Sequence, residues 1–159
     1  MFDKGEAVVY PLHGAGIIEN LEEKCIDGET RNYYVLNLPL GNLTILLCCE
    51  SAENTKLRKV MPKNDIEVIV KTSAKVPKPA KAESWAVRYK ENMDKIRSGM
   101  LREVADVFFQ LHYKEKDKGL SGAEKKMLTM AKKIVMSEIM LAYNIDKIEA
   151  EEILERYAI

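Results

Sequence analysis

A chain of 159 residues with 25 basic and 25 acidic side chains has no net charge, which sets aside a strongly basic protein that would bind DNA everywhere. Its length fits one domain or two small ones of the common 50 to 150 residue class (roughly), and an apolar fraction of 47% is enough for packed cores. Cys25, Cys48 and Cys49 are an odd set without CxxC spacing, which points to a reducing compartment. With no charged, apolar leader and no apolar run near the roughly 18 residues that span a bilayer, the expectation is a cytoplasmic protein without membrane contact.

The charge is unevenly spread. Residues 1–75 carry 9 basic and 11 acidic side chains, 76–133 carry 14 and 8, and 134–159 carry 2 and 6. A basic middle permits nucleic-acid contact, although a solvated helix face would explain it too.

The first sixty residues predict short strands and turns. AVVY at 7–10 is a brief apolar run stopped by Pro11, and His13-Gly14-Ala15-Gly16 supplies the flexible backbone of a tight bend before the strand at 17–21. Asp27-Gly28 is a hairpin turn leading to NYYVLNL at 32–38. After a turn at 39–42, LTILLCC at 43–49 is apolar throughout and is expected to be central or buried on both faces. A polar or single helical turn at 50–54 leaves 57–60 to close the sheet. Strands this close, with no room for crossover helices, predict a small antiparallel barrel.

PKNDIEVIVKT at 62–72 suits helix or strand: its branched residues favour strand, whereas Pro62 and Asp65 fit a helix start. A helix is the preferred reading. Pro77 and Pro79 mark an extended linker at 75–81. The rest predicts helices. The first starts at Trp85 behind the N-cap Ser84 and stops at Gly99, with a stripe of Trp85, Tyr89, Met93, Ile96 and, past the break, Met100. The second runs over 101–118 with Val104, Val107, Phe108 and Leu111 facing in, and Gly119 ends it. Ser121 and Glu124 form a capping box for the third, which carries Leu128, Ala131, Ile134, Val135, Ile139 and Leu141 and ends near Tyr143-Asn144. Asp146 caps a last helix with Ile148, Ile153 and Leu154. The fold class is therefore α+β in two domains: a small antiparallel β-barrel over 1–61, a connecting helix and linker over 62–83, and an all-α bundle over 84–159. The bundle has four helices, or five if 66–70 joins it.

Little points to catalysis. His13 and His112 stand in no metal-ligand spacing, no serine occupies a nucleophile elbow, and Gly14-Ala15-Gly16 lacks the lysine and hydroxyl of a phosphate loop. No cofactor is implied, and Cys48-Cys49 fit buried apolar positions better than a redox pair. Trp85, the single tryptophan, has two readings. Its stripe with Tyr89 and Met93 suits a core role. Its place in the first turn, with Arg88 on the same face and Lys90 nearby, suits an exposed wedge that enters a base step while cations hold phosphates. Lys125 and Lys126, in the first turn of the third helix, oppose its dipole and would be better placed beside an external anion.

Five segments, FDKGEAVVYPLHGAG at 2–16, GETRNYYVL at 28–36, GNLTI at 41–45, WAVRYKENMDKIRSG at 85–99 and GLSGAEKKMLTMAKKI at 119–134, span the chain in order. Together they resemble the CarD/CdnL family of bacterial transcription regulators. The resemblance implies a Tudor-like barrel that docks on the RNA polymerase β subunit, a helical domain at the upstream edge of the transcription bubble, and no catalytic activity. It implies that Trp85 wedges into the DNA minor groove, that Arg88, Lys90 and Lys125 are basic DNA-contacting positions, and that Lys24 faces the β subunit. Leu46 falls where relatives have a second basic residue, and Cys48-Cys49 where many have an apolar residue and a proline.

The implied mechanism is tethering plus wedging by a monomer: docking raises the local concentration of a weak DNA-binding surface, and the minor groove gives little sequence preference. Two rivals remain. A pure polymerase-interaction module would give no footprint at the bubble edge, and a stand-alone helix-turn-helix repressor would bind DNA without polymerase.

Overall fold

The computed structural model describes residues 2–75 and 84–158; the proline-marked linker expected at 75–81 lies almost wholly outside them. Five strands, β1 (Ala7–Tyr10), β2 (Gly14–Ile26), β3 (Glu29–Leu38), β4 (Leu43–Cys48) and β5 (Arg58–Lys59), form one antiparallel sheet in the order β4-β3-β2-β1-β5. Asp27 and Gly28 both have positive φ, 52° and 79°. That is the turn whose twist matches a two-residue hairpin, and it sets the long β2–β3 pairing from Ile26 opposite Glu29. A bulge between Ile18 and Asn20 shifts the register and bends the strand. The concave side holds Val8, Ile18, Tyr34, Leu36, Leu38 and Leu47. On β3 these buried positions alternate with half-buried Tyr33, Val35 and Asn37, as a strand with one packed face requires.

Two expectations about the sheet are overturned. Strand β4 is an edge, not a centre, and Leu43 and Leu46 are exposed on it; a strand apolar but for Thr44 does not reveal from composition which side lacks a neighbour. Cys48 and Cys49 are half-buried rather than buried, and Cys25 is exposed. The bend expected at residues 13–16 also moves. The chain turns at residues 11–13, where Leu12 has φ 75° and the His13 amide donates to the Tyr10 carbonyl at 3.0 Å, and Gly14, Ala15 and Gly16 are already strand.

The helices are α1 (Lys63–Lys75), α2 (Trp85–Arg97), α3 (Leu101–Asp117), α4 (Gly122–Tyr143) and α5 (Lys147–Tyr157). The ambiguous stretch at 62–72 is helical, and Ile66 and Val70 put α1 into the helical core as a fifth member. Local signals set the ends as expected. Ser84 accepts the Val87 amide, Ser121 and Glu124 close a reciprocal capping box, Asp146 accepts the Glu149 amide, and Asn144 ends α4 in a left-handed conformation with φ 54°. The inward residues of α3 include Phe108, Phe109 and Leu111. Ile148 on α5 does not face in; it is 69% exposed, and Ala150 and Leu154 fill that helix's core positions.

Helix α4 joins the two parts. Six consecutive residues, Ile134, Val135, Met136, Ser137, Glu138 and Ile139, are buried, which no helix with one solvent face can achieve. Other helices pack on one side of α4 and β2 on the other. The Ala15 amide donates to Ser137 Oγ at 2.8 Å, and a Cβ on Gly14 would lie 2.7 Å from that oxygen. The glycine is thus required both by its φ of 107° and by the approach of the helix.

Candidate nucleic-acid interface

Position N1 of a capped helix overhangs whatever the helix packs on, because its side chain has no preceding turn beneath it. Trp85 occupies that position and is 49% exposed. Of the expected stripe only Met93 and Ile96 are buried, while Tyr89 and Met100 are exposed with Trp85. The stripe leaves the core toward the start of α2, so the core reading of the tryptophan fails. The indole stacks on Tyr89, with centroids 5.3 Å apart and planes 21° from parallel. That pair fixes the ring's orientation while the residue stays half exposed.

Trp85 and Arg88 line a shallow hollow among α2, α3 and the start of α4, with Leu111 and Met127 beneath and Lys114 and Glu124 at the side. Lys114 Nζ donates to Glu124 Oε2 at 2.7 Å, and Glu124 Oε1 accepts from the Ser121 amide and hydroxyl. Burial alone would raise the Glu124 carboxyl, but Lys114 and the Ser121 donors outweigh it and hold the group below the usual carboxylate range. The carboxylate that caps α4 therefore already has its own cation. Lys125 and Lys126, exposed in the same turn, have no ion-pair partner among the described residues.

Not all the expected basic residues converge. Lys125 adjoins Glu124 at the hollow, whereas Lys126 lines a separate cleft of about 270 Å³ between the sheet and α4, with His13, Leu43 and Lys133. Lys90 is exposed but lies five residues from Trp85, about 140° around the helix. Sequence reading missed Lys114; the capping box of Ser121 and Glu124 was visible, but its pairing across to α3 was not.

The second surface is the outer face of the sheet. Lys24 pairs with Arg31 and Leu46 with Val35 across their ladders, so alternation puts both on one face, about 13 Å apart along β3. Lys24 Nζ lies 3.4 Å from Glu22, and Leu46 is 45% exposed. Arg31, ion-paired with Glu29, brings a second cation to this face. The Cys48 thiol sits here too: burial would raise it, but the Glu50 and Ser51 amides and Arg31 hold it below its usual value. Among the described residues no group of three His, Cys, Asp or Glu could hold a metal ion, and no helix is long and apolar enough to cross a membrane.

A further polar cluster ties the sheet to α4. Arg58 on β5 makes two parallel bonds to Glu138 on α4, Nη1 to Oε2 and Nη2 to Oε1, both 2.8 Å. Its Nε donates to the Gly99 carbonyl at 2.8 Å, and the Met61 amide donates to Glu138 Oε2 at 2.9 Å. Glu138 is 1% exposed. Neither residue figures in the sequence reading, though a Ser-Glu pair inside IVMSEIM at 134–140 is the available signal.

Comparison with known proteins covers both parts. Residues 2–61 match the model of the CarD-like/TRCF RID domain, and residues 70–155 match that of the CarD C-terminal domain. The chain is also similar to a Bacillus subtilis (strain 168) protein named "Putative transcription factor YdeB", at 36% identity over 142 residues, covering 87% of this chain and 90% of that one.

Proposed function

The chain belongs to the CarD family, and from that premise we propose that it is a transcription regulator that docks on the RNA polymerase β subunit through its sheet and stabilises the promoter open complex with Trp85. The observation that carries the reading is the position of the indole: half exposed on the first turn of α2, stacked on Tyr89 and sharing a hollow with Arg88. A flat apolar ring held beside cations suits a minor groove distorted at the bubble edge. About 1 to 3 kcal/mol from one stacked aromatic would lengthen open-complex lifetime roughly tenfold or more. Arg88 and Lys125 then serve phosphates near the hollow, and Lys90 and Lys126 serve flanking phosphates from other faces.

Docking by the sheet is supported by β4, an edge strand with exposed Leu43 and Leu46. Such an edge offers unpaired backbone groups and apolar side chains to a partner. Lys24 and Arg31 add charge to the face that carries Leu46, whereas Leu43, opposite the buried Leu38, lies on the other face. Because the barrel supplies the tether, a weak DNA surface suffices and a neutral chain is adequate. The test compares wild type with Trp85→Ala at equal polymerase occupancy: the variant shortens open-complex lifetime, and an unchanged lifetime removes the wedge. A module that only binds polymerase uses the same edge strand but leaves no polymerase-dependent footprint at the upstream bubble edge.

A further inference from the structure

We propose that Arg58 and Glu138 are positioning residues for Trp85: they lock the sheet to the helices in one orientation, so that the point where the sheet docks fixes the base step that the indole reaches. This rests on the wedge reading and adds to it the device that makes docking and wedging one event.

A single guanidinium joins three segments. Arg58 belongs to β5, its Nη atoms hold Glu138 on α4, and its Nε holds the carbonyl of Gly99. Gly99 follows Ser98, the C-cap of α2, the helix whose other end carries Trp85. Its left-handed φ of 73° and its contact with Pro11, which a Cβ would approach to 2.8 Å, seat that end against the turn between β1 and β2. Next to Glu138, Ser137 takes the Ala15 amide of β2. Two adjacent residues of α4 therefore grip two different strands.

A planar, two-bond pair admits one relative geometry, whereas apolar surfaces of similar size can slide. The lever arm shows why geometry matters here. Helix α2 has 13 residues, so it is about 20 Å long; a tilt of about 10° at Gly99 moves Trp85 by about 3.4 Å, the spacing of one nucleotide along a strand. An interface loose by that angle would still dock and would still bind DNA, but the indole would miss its step.

The test uses the full chain. In Glu138→Gln the amide nitrogen meets a donor where an acceptor is needed, which breaks the fork at constant size. Residual dipolar couplings should give one alignment tensor for sheet and helices in wild type and two in the variant. Polymerase affinity stays at the wild-type value, while open-complex lifetime loses most of what Trp85→Ala loses and the upstream footprint edge blurs. If Glu138→Gln does not fold, the apolar double variant Arg58→Met/Glu138→Met takes its place, with the same losses expected. A folded variant with one tensor or with wild-type lifetime overturns the proposal. Wild-type lifetime in Trp85→Ala would instead overturn the wedge reading, and the positioning role with it, so the two failures are distinguishable.

Discussion

The two ends of α4 carry charge in opposite settings. At its start, Glu124 has Lys114 and the Ser121 donors, while Lys125 and Lys126 project outward with no carboxylate partner among the described residues. Sixteen residues from Ser121 stands Ser137 and then Glu138: Ser137 Oγ accepts the Ala15 amide of β2 and donates to the Ile134 carbonyl, and both Glu138 oxygens accept from Arg58 of β5, one of them also from the Met61 amide. The buried end spends its polar groups on the protein itself, and the open end leaves two exposed cations without a carboxylate of their own among the described residues. The same contrast separates the aromatic residues: Phe108 and Phe109 are enclosed, whereas Trp85 and Tyr89 stack on each other in the open.

The contrast can be broken first at its buried end. Glu138→Ala leaves Arg58 without its carboxylate and should lower stability by about 3 to 5 kcal/mol in chemical denaturation; a loss under about 1 kcal/mol would mean the pair holds little. Gly14→Ala comes next. Its Cβ would meet Ser137 Oγ at 2.7 Å from a residue with φ 107°, and about 1 to 3 kcal/mol of strain is expected by the same measurement.

The open end responds less. Ser121→Ala removes the capping box and should cost about 1 kcal/mol in thermal or chemical unfolding. The Glu124 carboxyl sits below its usual range, so its contribution is present above the unfolded carboxylate range and is lost as pH falls through the folded value. Lys114→Met removes one source of that shift. The stability gap between this variant and wild type should therefore be widest near neutral pH and close on acidification; a gap that grows in acid would contradict the assignment. Smallest of all, Trp85→Ala should change folding stability by less than about 1 kcal/mol, because a half-exposed ring contributes little beyond its stack on Tyr89. A larger loss would make the indole a core residue after all.

What could be read from the chain was what neighbours in sequence decide. Asp27-Gly28, Ser84, Ser121 with Glu124, Asn144 and Asp146 act within a turn of themselves, and the structure uses each as expected. What could not be read depends on distant partners. The β4 run is apolar on both faces but for Thr44, which fits a central strand and an edge alike until strand order is known. Gly14 and Gly16 look like turn glycines, yet one makes room for α4 and the other for the Asn37 carbonyl. Ser137 and Glu138 have the polarity of a solvent face and are buried because the sheet covers them. At the candidate interface the first-turn position of Trp85 was legible, but its exposure was not, since the stripe it shares with Met93 and Ile96 leaves the core before reaching it.

The central claim is that an outward-facing indole, not the chain's folding or docking, lengthens the life of the melted promoter. Dissociation of preformed open complexes, followed after challenge with a competitor at saturating wild-type or Trp85→Ala protein, tests it most directly. The account predicts roughly tenfold faster decay with the variant at unchanged polymerase affinity; identical decay curves would contradict it.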